Sequence, residues 1–182
     1  MIIEEWKKFK GWSVLEFFIR TNEKIHIKGL AKNLKISPRT AQVYLQFYEK
    51  NKILEKENIG NIILYRLTET PIVLEFKKLY LLMESMPHIE KFVEKNPDVN
   101  TIALYGSHAS GRNDSKSDVD LLIISQTKKL DLVPIKDLEK KLLKEVKIQV
   151  FSIGEWKKLT TENDSFGLSV FRNHIILHGA SL

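Results

Sequence analysis

The chain has 182 residues, 43% hydrophobic and 29% charged, with no cysteine and a formal charge of +6. This composition excludes a disordered chain, a disulfide scaffold, a thiolate zinc site and a cysteine nucleophile, so any metal must sit on carboxylates, histidines or backbone oxygens. The longest apolar runs, such as 62–65 and 121–124, fall far short of the roughly 20 residues that cross a bilayer. The N-terminus also lacks the apolar stretch of a secretory signal, so a soluble cytoplasmic protein with no membrane partner is expected. Length allows one domain or two small ones. Residues 1–70 hold 13 basic against 8 acidic side chains and the remainder 16 against 15. The positive excess therefore belongs to the N-terminal part, where it favours polyanions, although ordinary soluble surfaces also carry such an excess.

From Trp12 to about Tyr48 the apolar residues recur at three and four, which predicts three short helices. The first carries Trp12, Leu15, Phe18 and Ile19 on one face and ends near Thr21-Asn22; the second holds Ile27, Leu30, Ala31 and Leu34. The third begins at Ser37-Pro38, a capping hydroxyl followed by a proline whose missing N–H costs nothing in a first turn. Its inward face is Ala41, Tyr44, Leu45 and Tyr48, which leaves Ser37, Arg39, Thr40, Gln42, Val43 and Gln46 outside. The period then changes. Residues 53–57 and 62–67 are β-like runs joined by the turn-rich Asn58-Ile59-Gly60-Asn61.

Three helices followed by a hairpin, with Leu30-Ala31-Lys32-Asn33-Leu34-Lys35-Ile36-Ser37-Pro38-Arg39-Thr40-Ala41 at the centre, resemble the winged helix-turn-helix domain of prokaryotic regulators. Lys35 stands where that pattern usually has Gly, which predicts a tighter or shifted turn. The resemblance implies DNA contact through Arg39, Thr40, Gln42 and Gln46 on the third helix, with Lys56, Asn58 and Asn61 on the wing. The same face could instead be a solvated surface, bind a protein or dimerise, because function does not follow from fold.

Residues 72–85 form a predicted linker or dimerisation helix with Val73, Phe76, Leu79, Tyr80 and Met83 on one stripe. Met86-Pro87 is expected to break it, and a short helix over 88–95 leads to Asn96-Pro97-Asp98. The expected domains are thus 1–70, a linker over 71–87, and 88–182.

Residues 101–124 carry the strongest signal. An apolar strand runs into Gly106-Ser107, a short stretch closes at Gly111, and a second strand opens with Asp118-Val119-Asp120. Side chains two apart on a strand point the same way, so Asp118 and Asp120 project together while Val119 and Leu121 face the core. Two neighbouring carboxylates repel unless a cation lies between them, and Mg²⁺ (or Mn²⁺) takes one or two carboxylates plus substrate phosphates. Gly106 permits close approach of a phosphate that backbone amides and the Ser107 hydroxyl can bind. Taken singly, the acids could be solvated strand-entry residues, Ser107 a helix cap, and Gly106 and Gly111 turn residues.

Gly106-Ser107-His108-Ala109-Ser110-Gly111 followed by Ser117-Asp118-Val119-Asp120-Leu121 resembles the minimal nucleotidyltransferases of the DNA polymerase β superfamily. The resemblance implies Asp118 and Asp120 as catalytic metal ligands and Gly106 and Ser107 as triphosphate ligands. Arg112 and Lys116 either assist the phosphates or are exposed loop charges; His108 occupies a variable position and takes no role. It also implies attack of an acceptor hydroxyl on the α-phosphorus of a nucleoside triphosphate, with pyrophosphate leaving. The resemblance implies two metals, one bridging the triphosphate and the two carboxylates and one polarising the acceptor, the second usually needing a third carboxylate on a later strand. After a helix over 136–144, the strand over 146–152 places Gln149 there, with Asp131 and Glu155 as the nearby acids that could substitute. Residues 169–180 resemble the closing helix and strand of the group, and the His174/His178 pair suits one helix face without being read as a metal site.

The expected fold class is α+β: an N-terminal winged helix joined by a helix to an α/β domain with a mixed sheet, similar to small archaeal proteins that join the two modules. The expected function is transfer of a nucleotidyl group from a Mg-bound triphosphate to an unidentified acceptor, the winged helix binding DNA or a partner. Two alternatives stand beside it. One is a DNA-binding transcription regulator whose second domain senses nucleotide, catalysis being weak or lost through Gln149. The other is an antitoxin that modifies a toxin partner. A homodimer through the 72–85 helix is an expectation by analogy.

Overall fold

The computed structural model describes residues 5–6, 8–162 and 164–182. The chain divides into two compact units, Met1–Tyr80 and Leu81–Leu182.

In the first unit, α1 (Lys10–Thr21), α2 (Ile27–Leu34) and α3 (Pro38–Lys50) precede the antiparallel strands β1 (Leu54–Ile59) and β2 (Ile62–Leu67). Most of the expected stripes are buried, Trp12, Leu15, Phe18 and Ile19 from α1, Leu30 and Ala31 from α2, and Ala41, Leu45 and Tyr48 from α3, while Ile27, Leu34 and Tyr44 are half-buried. The Ser37 hydroxyl accepts from the Thr40 N–H at 3.0 Å and Pro38 opens the helix, so the cap and the proline do what the sequence required of them. Lys35 takes the left-handed conformation (φ 53°) that glycine would occupy without strain, so the turn keeps that geometry rather than tightening. The hairpin turn is shorter than expected. Ile59 pairs with Ile62, leaving only Gly60 (φ +58°) and Asn61 to reverse the chain and placing Asn58 within β1. Ile25 adds a further bridge to Tyr65 in β2.

Helix α4 (Pro71–Lys95) overturns one expectation: it runs unbroken through Pro87. Proline removes one intrahelical donor and crowds the preceding turn, a penalty that tertiary burial can offset. Here Leu81, Ser85, Ile89 and Phe92, on either side of Pro87, are all buried. The boundary between the compact units falls within α4, between Tyr80 and Leu81.

The second unit is built on a four-stranded mixed sheet in the order β5-β4-β3-β6, comprising β3 (Val99–Tyr105), β4 (Val119–Ser125), β5 (Val146–Phe151) and β6 (His174–Gly179). Strands β3 and β4 are antiparallel and flank the short helix α5 (Gly106–Ser110). Strands β4 and β5 are parallel and require a crossover, supplied by α6 (Val133–Leu142). One face of the sheet, with Ile102, Leu104, Val119, Leu121 and Ile123, packs with Leu81, Ile89 and Phe92 of α4 and Ile135 and Leu138 of α6. The other, with Ala103, Leu122 and Ile124, packs with Trp156 of α7 (Ile153–Thr161) and Val170 of α8 (Ser165–Arg172). His174 and His178 both lie in β6, so the helical spacing proposed for them does not apply.

Candidate active site

The loop between α5 and β4 must deliver two acids to the end of β3. Strand alternation does this for Asp120: its neighbours Val119 and Leu121 are each 1% exposed and point into the core, which turns Asp120 to the opposite face. Asp118 stands just ahead of the strand and is only partly exposed. The two acids feel each other. Burial, opposed by Lys147 and reinforced by Asp118, holds the Asp120 carboxyl above its ordinary value.

Gly106 explains its own identity. It sits at φ +74°, and a Cβ there would lie 2.6 Å from Asp120 Oδ2. Any L side chain would meet both backbone strain and the carboxylate. The carboxylate therefore rests against bare backbone where β3 ends and α5 begins. Asn173 donates its side-chain N–H to the Gly106 carbonyl at 3.1 Å. Ser107 follows in α5, and its carbonyl accepts from the Arg112 N–H at 3.0 Å and from the Ser110 hydroxyl at 2.9 Å. These bonds close the turn at Gly111, while the Arg112 side chain stands exposed.

The loop ahead of Asp118 is held from within. The Asp114 carboxylate accepts from the Lys116 N–H and the Ser117 hydroxyl at 2.9 and 2.8 Å. The Lys144 ammonium donates to the carbonyls of Asp114, Ser115 and Ser117 at 3.0, 3.1 and 3.0 Å. Its three protons match three acceptors. Burial pulls Lys144 below its usual range, against the attraction of Asp114 and Asp118. The Val119 N–H, bonded to the Glu145 carbonyl at 2.9 Å, ties the start of β4 to the same segment.

Strand β5 contributes a cation and a neutral amide. Lys147 is the register partner of Asp120, and its Nζ lies 2.6 Å from Asp118 Oδ2. This contact, with the nearby acids, raises the ammonium above its usual range. Gln149 lies in hydrogen-bonding reach of the Tyr105 hydroxyl. Burial, with Asp120 alongside, pushes that phenol up, opposed by Gln149 and Lys147. The two acids considered as substitutes for Gln149 are engaged elsewhere. Asp131 accepts from Lys95 at 3.0 Å and from the Val133 N–H at 2.9 Å, while Glu155 pairs with Lys128 at 2.7 Å and closes the capping box of α7 with Ser152. Those bonds lower the Glu155 carboxyl to about 2. Among the described residues, no group of three or more His, Asp or Glu side chains is placed to hold a metal ion. The donor set is thus two carboxylates on one side of the sheet, which suits a divalent cation that draws its remaining ligands from water and phosphate.

Asp118 and Asp120 are close enough to interact and Asp120 lies against Gly106, with Ser107 next in α5 and Arg112 just beyond its end. Lys144, Lys147, Asn173 and Tyr105 join them without having been singled out from sequence. Only strand alternation gave a signal for Lys147, which lies two residues before Gln149.

The residues proposed to meet DNA lie in the first unit. Arg39, Gln42 and Gln46 are exposed along α3, and Asn58 and Asn61 are exposed on the hairpin. Thr40 is half-buried, with its hydroxyl 2.8 Å from that of Ser37. Lys56 pairs with Glu49 at 2.7 Å.

No helix among the described residues is long and apolar enough to cross a membrane. Among solved structures, the chain is similar to a toxin–antitoxin complex with AMP-PNP, at 18% identity over 53% of this chain and 74% of that one, with a TM-score of 0.39. It is also similar to a protein from Sulfolobus solfataricus named as a candidate nucleotidyltransferase, at 14% identity over 60% of this chain and 89% of that one, TM-score 0.37. A third likeness is to a Rhodococcus sp. RHA1 protein named as a candidate transcriptional regulator, at 17% identity over 66% of this chain and 45% of that one, TM-score 0.32. At this level of likeness the neighbours assign neither substrate nor partner. No functionally curated protein matches the chain. The family described as Polymerase beta, Nucleotidyltransferase matches residues 87–178, half of the chain and all of the motif built above, and the chain belongs to it.

Proposed function

We propose that the second unit binds a nucleoside triphosphate with Mg²⁺ or Mn²⁺ and transfers its nucleotidyl group to an acceptor hydroxyl. The supporting observation is the Asp120 carboxylate resting against the bare backbone of Gly106, with Asp118 beside it. Asp118 and Asp120 would hold the metal, and the metal would supply Lewis-acid stabilisation of the phosphate charge. Gly106 lets the Asp120 carboxylate lie against the head of α5, Ser107 offers a hydroxyl there, and Arg112 stands exposed at the other end of the turn. The reaction forms a bond from the acceptor oxygen to the α-phosphorus and breaks the bond to pyrophosphate, while the proton of the acceptor hydroxyl passes to solvent.

The first unit would bring the acceptor or a partner. Basic excess in residues 1–70 favours nucleic acid. The exposed Val43 and Phe47 on α3 and Ile59, Ile62 and Ile63 on the hairpin favour a protein.

The test measures nucleotide binding with and without Mg²⁺, then pyrophosphate release from labelled triphosphates with nucleic-acid and protein acceptors. Binding and release that disappear in Asp118→Ala and Asp120→Ala support transfer. Binding without release supports the sensor reading, which the neutral Gln149 favours. No binding at all rejects both.

A further inference from the structure

Lys147 has no part in the transfer reading above, yet it occupies the centre of the site. It is the register partner of Asp120 across β4 and β5, and its Nζ lies 2.6 Å from Asp118 Oδ2. The fields of both acids act on it. Two residues on, Gln149 falls on the same side of the strand and reaches the Tyr105 hydroxyl. This face therefore presents two carboxylates, one ammonium and one neutral amide, a net single negative charge.

That charge is enough to receive one divalent cation that arrives with a triphosphate and takes most of its ligands from phosphate and water. A second divalent cation meets different conditions. It would have to displace the ammonium from Asp118, and at Gln149 it would find no anionic oxygen. Among the described residues there is no cluster of three ligating side chains to compensate. We infer that Lys147 is a resident cation of the two-acid site and that the site takes one divalent cation per bound nucleotide rather than two. Lys147 is then a positioning residue that acts on the metal through Asp118. Its side chain is 54% exposed, which leaves the ammonium room to move toward a bound phosphate. The inference rests on the nucleotide-binding reading.

The experiment is equilibrium dialysis of the full chain against Mn²⁺ and a non-hydrolysable triphosphate analogue, with manganese counted by electron paramagnetic resonance. Wild type is expected to hold one manganese per bound nucleotide, and Lys147→Arg the same. The double variant Lys147→Met with Gln149→Asp is expected to hold two. Without nucleotide, Lys147→Met alone is expected to bind Mn²⁺ about tenfold more tightly, since a competing charge has gone. Two manganese ions per nucleotide in wild type overturn the inference while leaving nucleotidyl transfer intact. So does a double variant that still holds one, or a Lys147→Met affinity equal to wild type. If the analogue fails to bind wild type, the transfer reading falls, and the nucleotide-free titration still decides whether Lys147 competes with the cation.

Discussion

The two units arrange their charges in opposite ways. Around the hairpin of the first unit, cations are matched locally: Lys24 pairs with Glu57 at 2.6 Å, Lys56 with Glu49 at 2.7 Å and Arg66 with Glu55 at 2.7 Å. In the second unit, Asp120 lies against the Gly106 backbone, Asp118 nearby pairs with the Lys147 ammonium, and the neutral Gln149 stands beside Tyr105. A surface that holds phosphate directly must keep cations in excess, whereas one that holds phosphate through a metal must keep acids in excess. Under the proposed transfer, the second unit meets its requirement in the side chains themselves. The first has its basic excess in sequence, but much of it near the hairpin is already neutralised, so net charge overstates what that face offers a polyanion.

The sharpest way to break the second half of that comparison is Gly106→Ala. The new Cβ would meet Asp120 Oδ2 at 2.6 Å in a backbone conformation with φ +74°, which costs about 1–2 kcal/mol in strain before the carboxylate moves. Nucleotide binding is expected to be lost and Tm to fall by several degrees, measured by calorimetry on the same preparation. Binding that survives would mean the Gly106–Asp120 contact is not where the phosphate and metal meet.

Lys144→Met comes next. Removing the ammonium leaves the carbonyls of Asp114, Ser115 and Ser117 without their shared donor. The expected loss is about 1–3 kcal/mol of stability and about tenfold in nucleotide affinity. Hydrogen exchange should rise in 112–118 and stay unchanged in β3. Uniformly faster exchange would instead make Lys144 a general stabiliser.

Asp120→Asn tests the electrostatic cost of the acid pair. The native carboxyl titrates above the ordinary value of 3.8 because it is buried and beside Asp118, Lys147 only partly opposing. The folded state therefore holds this proton more tightly than the unfolded chain, and stability falls as pH rises from 3.8 through the native value, then stays reduced. In metal-free buffer, Asp120→Asn is expected to melt slightly above wild type at neutral pH, with the gap closing below 3.8. A variant less stable than wild type at neutral pH would mean that Lys147 outweighs burial.

Much of the fold and of this site was legible because it is written in backbone requirements. Gly106 and Gly111 mark positive φ, alternation about Val119 and Leu121 fixes the side to which Asp120 points, and Ser37-Pro38 marks a helix start. What was missed acts over distance in the chain. Asn173 reaches Gly106 across 67 positions and Lys144 reaches Ser117 across 27, and neither carries a local signal that separates it from an exposed polar residue. Pro87 misled for a related reason: local propensity predicts a break, and the burial of Ile89 and Phe92 overrides it. Glu155 seemed available as an acid until its capping box was visible, although Ser152 three residues earlier is the pattern that announces one.

The smallest expected effect bears on the first unit. The Glu57 carboxylate faces Lys24 at 2.6 Å and Arg66 at 3.8 Å, and the pairing holds it below its usual range. Glu57→Gln frees the Lys24 ammonium beside the hairpin, Arg66 keeping its pair with Glu55, while changing little else, because partly exposed ion pairs contribute little to stability. If this face meets phosphates, the variant should bind duplex DNA more tightly than wild type, and its dependence of log affinity on log salt should steepen by about 0.9 for each new phosphate contact. The measurement is a fluorescence-anisotropy titration at several salt concentrations. An unchanged slope would place the phosphate contacts away from the hairpin or leave the unit to a protein partner, for which the exposed Ile59, Ile62 and Ile63 provide the better contact surface.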